Sequence, residues 1–154
     1  AARLLAFAFL SEIPFDLALH IRPFHWQNQN VFFTLLLGLL AIWFMQSRGG
    51  GLVVRVAGLL AGAGLAELFH TDYGAFGVAL IVLLYLLRNK KAAQCILGAV
   101  CCAWELTAPL AFIPIWFYNG ERGRQPRWFF YWFYPVHFLL YSMIGMFVLP
   151  AVVL

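Results

Sequence analysis

The stretch "FYPVHFLLY", residues 133–141, places an imidazole, His137, two residues after Pro135 in an otherwise oily run. Proline lacks a backbone donor and, in a helix, leaves the carbonyl four residues back, that of Tyr131, without its partner. An unpaired acceptor and a titratable ring at one depth of an apolar helix need a protein-lined or wet neighbourhood. The chemistry open to such a histidine is proton transfer. The structural alternative is a kinked helix whose histidine bonds a neighbouring helix. A second group lies in "SEIPFD": Glu12 and Asp16 are four apart, share a helix face and flank Pro14. They suit a polar cavity, a cation, or a helix end reaching lipid headgroups. In "HTDYGAFG", 70–77, Thr71 or Asp72 is placed to cap the next helix, and His70 or Asp72 is the alternative working group. His20 and His25 sit among aromatic residues and read as interfacial.

"YNGERGRQPRW", 118–128, is the most polar stretch, and its Asn119-Gly120 pair signals a turn. Arg122, Arg124 and Arg127 beside Trp128 have two readings. They mark one side of a membrane and attract anionic lipid, or they hold a phosphorylated cofactor, because guanidinium forks match phosphate and stack on rings. No glycine-rich nucleotide loop accompanies them. Cys95, Cys101 and Cys102 fall within one apolar run. That spacing fits free thiols rather than a disulfide framework or a metal site. Gly58 and Gly62, four apart in "GLLAGAG", permit close helix packing.

The elements that must carry these residues are apolar throughout. Of 154 residues, 64% are hydrophobic and 10% charged, too few charges to cover a water-soluble surface. The apolar runs lack the period-two alternation of barrel strands. The expectation is an all-α, polytopic transmembrane helical bundle forming a single domain over 1–154, with lipid rather than nucleic acid as its surroundings. Runs at 1–19, 29–46, 52–69, 73–88 and 128–150 read as membrane segments. The segment 92–118 reads either as one tilted helix with Glu105 at mid-depth or as a hairpin turning near "WELTAP". The positive-inside rule separates the two: Lys and Arg divide six to four with one helix and nine to one with a hairpin. The hairpin is preferred, which gives seven membrane segments against six with one helix (about six or seven in all) and puts the basic loops in the cytoplasm.

Taken in order, "SEIPFDLAL", "NVFFTLLLGLLAIW", "DYGAFGVALIVLLYLLR", "YNGERGR" and "FFYWFYPVHFLLY" resemble the TraX family of bacterial integral membrane proteins. The joint occurrence of "IPFD", "DYGA.G", "YNG.RG" and "FYP.H" carries the resemblance over nearly the whole chain. It implies a multi-pass protein of the bacterial cytoplasmic (inner) membrane and acetyl transfer, which in plasmid members means N-terminal acetylation of pilin. The family is also similar to wider membrane acyltransferases that use acetyl-CoA. Members carry about two further helices ahead of Ala1, with an Asp-His pair on the first, so the chain reads as a fragment.

On that resemblance, acetyl passes from acetyl-CoA to an amine or hydroxyl acceptor such as pilin or a surface glycan. Arg122, Arg124 and Arg127, with Asn119, are the expected cofactor-binding residues. His137 is the expected general base or a polar relay, and Glu12, Asp16 and Asp72 orient the acceptor. The competing reading is a non-enzymatic carrier or an assembly factor for a secreted polymer.

Overall fold

A computed structural model of the chain describes residues 1–20, 28–47, 49, 51–121, 123, 126 and 128–147, with backbone only at 19, 20 and 147. Every regular element among them is helical: α1 (Ala2–His20), α2 (Val31–Ser47), α3 (Leu52–Leu68), α4 (Gly74–Leu86), α5 (Lys91–Cys101), α6 (Phe112–Phe117) and α7 (Phe129–Phe147), with a 3-10 turn at Ala108–Ala111 before α6. The five long apolar runs become α1, α2, α3, α4 and α7, with ends close to those expected from the hydropathy breaks.

α2 is the central element, packed on α1, α3 and α4. One core cluster joins Ala41 and Met45 of α2 to Ala66 of α3 and to Val78 and Val82 of α4. A second joins Phe7 and Ala8 of α1 to Phe32, with Tyr131 and Tyr134 of α7 against it. The small residues of α3 set the approach of α2. A β-carbon on Gly58 would stand 2.9 Å from Met45 Cγ, and one on Gly62 would stand 3.1 Å from both Ala41 and Val78. The close packing expected of that pair is therefore used. α7 lies along α1 in the same direction: Phe7 meets Tyr131 at 5.0 Å between ring centres, and Phe15 meets Phe138 at 5.4 Å.

The segment 92–118 turns back on itself, as the charge distribution favoured. α5 ends at Cys101, the chain turns through 102–107, and α6 returns along α5. Lys91 Nζ donates to the Tyr118 carbonyl at 2.7 Å, tying the start of the hairpin to its end.

The polytopic transmembrane bundle requires correction. Among the described residues no helix is long and apolar enough to cross a membrane. The physical reason differs between helices. α2 and α3, at 17 residues, and α4, at 13, rise only about 20–26 Å, short of a hydrocarbon core of about 30 Å. α1 and α7 reach 19 residues. However, α1 carries Arg3, Glu12 and Asp16, and α7 carries Tyr131, Trp132, Tyr134, Pro135, His137, Tyr141 and Ser142. In this chain length and apolarity fall on different helices. The all-α character stands; the spanning does not.

Candidate functional site

The polar groups converge at the start of α2. Asn30 is fully buried there and caps the helix, its Oδ1 accepting from Phe32 N at 3.0 Å. Its Nδ2 donates to the Ala8 carbonyl at 2.7 Å and to Glu12 Oε2, which also accepts from Asn30 N at 3.3 Å. Glu12 Oε1 is buried without a hydrogen-bond partner. Burial raises the Glu12 pKa above its ordinary value of 4.5. The bonds from Asn30 oppose the shift, and the charge of Asp16 one turn away adds to it. Glu12 and Asp16 thus share a face, and Asp16 is almost fully buried.

The loop between α3 and α4 reaches the same place through its backbone. Gln29 N donates to the His70 carbonyl at 2.9 Å and Asp72 N donates to the Gln29 carbonyl at 2.8 Å, a single parallel bridge between Gln29 and Thr71. His70 adopts φ +50° to make this turn, a conformation costly for a residue with a β-carbon. The cap of α4 is neither Thr71 nor Asp72. Glu67, at the end of α3, reaches across so that its Oε1 accepts from Ala75 N at 2.8 Å. With no capping duty, the Asp72 side chain is solvated on one side. On the other, burial raises its pKa, and the charge of Glu105 adds to the shift.

Tyr73 completes that side, its hydroxyl donating to Glu105 Oε1 at 3.2 Å. Behind this pair lies a cavity of about 230 Å³ between α2, α4 and the 102–108 turn. Its wall is mostly apolar (Leu35, Phe76, Leu80, Trp104), with Thr34, Cys102 and Glu105 as its polar members. Thr34 Oγ1 is buried and without a hydrogen-bond partner. Burial also raises the Cys102 thiol's pKa, and the nearby Cys101 and Glu105 add to the shift.

α7 meets the cluster at Tyr134. Burial pushes this phenol well above its usual pKa, the charges of Asp72, Glu12 and Tyr73 add to the shift, and the backbone of Val31 opposes it. His137 sits one turn further along, its ring 5.4 Å from that of Tyr134, stacked on Phe133 and bordered by Phe138 and Tyr141. His137 Nδ1 lies 2.9 Å from the Phe133 carbonyl. A carbonyl only accepts, so Nδ1 carries the proton of this bond and Nε2 is the ring nitrogen left for any further exchange.

Of the expected site residues, Glu12, Asp16 and Asp72 are brought to one neighbourhood, and His137 is joined to it through Tyr134. Asn119 lies elsewhere, beyond Tyr118 and the Lys91 end of the hairpin. Its Oδ1 accepts from Glu121 N at 3.0 Å across Gly120, whose φ is +85°. Arg122, Arg124 and Arg127 lie outside the described residues, as does His25. Sequence reasoning missed Asn30, Tyr73 and Tyr134 and used Glu105 only for topology. Asn30 had a signal, an asparagine immediately before an apolar helical run. The tyrosines had none, because an aromatic in an aromatic-rich helix looks like core. Among the described residues, no group of three or more His, Cys, Asp or Glu side chains is placed to hold a metal ion.

The chain is therefore an all-helical protein with an acid and tyrosine cluster where α1, α2, α7 and the α3–α4 loop meet. Residues 1–145 match the family model described as TraX protein, and the chain belongs to the TraX family. No curated protein matches it, and no solved structure does.

Proposed function

We propose that the protein transfers an acetyl group from acetyl-CoA to an amine acceptor, the pilin-directed chemistry of its family, at the cluster where α2 begins. The observation that carries this reading is the convergence of Glu12, Asp72, Glu105, Tyr73 and Tyr134, with His137 one turn away. No ion pair joins these carboxylates to a cation among the described residues. Such a neighbourhood attracts an ammonium group by its field. A protonated amine cannot attack a carbonyl, so the site must also take a proton. The freed nitrogen would then bond the acetyl carbon as the carbon–sulfur bond breaks, and CoA would leave as its thiol with the amine's second proton. His137, with Nδ1–H held by Phe133, offers Nε2 for that step. Tyr134 spans the two, its ring against His137 and its oxygen among the acids. Glu12, Asp16 and Asp72 orient the acceptor, and the apolar cavity beside Tyr73 takes the aliphatic part of its chain.

Bound acetyl-CoA would supply the acetyl as an activated thioester. The residues proposed to hold its phosphates are Arg122, Arg124 and Arg127, whose planar forks suit that group. The Asn119–Glu121 turn opens the loop that carries them, and Lys91 anchors the residue before it. The acceptor class and the attachment to the bacterial inner membrane belong to this same proposal. The experiment is acetyl transfer to an amine-bearing peptide by purified full-length protein in lipid, with CoA binding followed separately. His137→Gln should lower turnover about 10²–10⁴-fold, the usual range for losing a general base, with CoA affinity retained. Wild-type turnover in a folded His137→Gln protein would remove the histidine from the mechanism.

A further inference from the structure

At the opposite end of the α2–α3–α4 layer, a polar cavity of about 420 Å³ opens between the end of α2, the first turn of α3 and the end of α4. Arg55, Arg88, Gln46 and Tyr85 line it. Its side chains hold one another in place. Gln46 Nε2 donates to the Tyr85 hydroxyl at 2.5 Å, Arg88 Nη1 donates to the Tyr85 carbonyl at 2.9 Å, and the Arg88 guanidinium lies 4.0 Å over the Tyr85 ring. A guanidinium has five N–H donors, and Arg88 gives one of them to the Tyr85 carbonyl. Arg55 uses none, and neither arginine has a carboxylate partner among the described residues. Two like charges thus border one cavity, and one of them is fixed by stacking and a backbone bond.

We infer that this cavity is a binding site for a phosphate group, presented either as a free phosphate or on a lipid headgroup. Phosphate fits on three counts. It brings the negative charge that both arginines lack, its oxygens accept from their planar forks, and the volume admits a headgroup-sized anion. A carboxylate or a phosphodiester brings one charge and two free oxygens, whereas free phosphate or a phosphomonoester headgroup brings close to two charges and at least three oxygens, enough for both forks. The inference does not rest on the acetyl-transfer reading, which assigns the cofactor to a different set of arginines.

The test uses the purified full chain, with inorganic pyrophosphate as soluble probe and phosphatidylcholine vesicles with or without phosphatidic acid as the second. Wild type should bind at least one probe, and Arg55→Ala or Arg88→Ala should each weaken that binding about tenfold, the usual scale of one lost charge-assisted bond. Arg55→Lys with Arg88→Lys should recover part of it, which separates lost recognition from lost folding. Variant-sensitive binding of pyrophosphate identifies free phosphate as a ligand. Variant-sensitive binding confined to phosphatidic acid vesicles identifies the headgroup. If neither probe binds wild type, or if the folded Arg55→Ala/Arg88→Ala protein binds both as wild type does, the site is not a phosphate site.

Discussion

At the scale of single residues, Glu12, which we propose orients the acceptor, carries a cost in stability. Its pKa is raised by burial, so between about pH 4.5 and the higher folded value the folded chain holds a proton that the unfolded chain has released. Stability is therefore greatest at low pH and falls as pH rises through that window. Glu12→Gln keeps an acceptor for Asn30 and stays neutral at every pH. Thermal midpoints should show the variant above wild type at pH 7.5 and close to it at pH 4. A variant lowered equally at both would mean that shape, not charge, matters at this position. Gly74 is a second sensitive residue. Its φ is +50°, and a β-carbon there would stand 2.6 Å from Glu67 Oε1, the oxygen that caps α4. Gly74→Ala should cost about 1–3 kcal/mol in denaturant unfolding.

Among the elements, the α5–α6 hairpin includes a close contact that side-chain growth would destroy. A β-carbon on Gly98 would come within 2.2 Å of the Phe112 ring. Gly98→Val should therefore push α6 off α5 and cost about 1–3 kcal/mol, as overpacking does. The readout is faster proteolysis between 102 and 118 than in wild type. Unchanged cleavage would show that the ring moves aside without loss. α7 offers a different lesson. It stays helical through Pro135, and His137 bonds the Phe133 carbonyl within the same helix rather than a neighbouring one. The proline and histidine that looked like a single device are thus separable.

For the molecule as a whole, the exterior is the unusual feature. Leu52, Val53, Leu60, Leu68, Phe117 and Leu106 are among many large apolar side chains left exposed, Leu106 almost completely at 96%. Surfaces of this kind mark contact with lipid or protein. We propose association with a bilayer as the cover, although no helix among the described residues is long and apolar enough to cross it. Purified protein should float with phosphatidylcholine vesicles in a density gradient and self-associate when detergent is withdrawn. Protein that remains monomeric and at the bottom of the gradient would remove lipid as the covering partner. The exposed rows on α3 and α6 are the faces to substitute first.

Local hydropathy was enough to read the helices themselves: five apolar runs located α1, α2, α3, α4 and α7 because a backbone without polar neighbours has to satisfy its own hydrogen bonds. The recurring motifs likewise placed the chain in its family, and the i, i+4 spacing of Glu12 and Asp16 put them on one face, since both are properties of order along the chain. Spanning could not be read from composition, because the average over 154 residues conceals that the longest helices carry the charges and breaks while the most apolar ones are short. The site was invisible for a related reason. Asn30 and Glu12 are 18 residues apart, and Tyr73 and Glu105 are 32 apart. Only the packing of α1 on α2, and the return of the chain after α5, brings such partners within a hydrogen bond of each other.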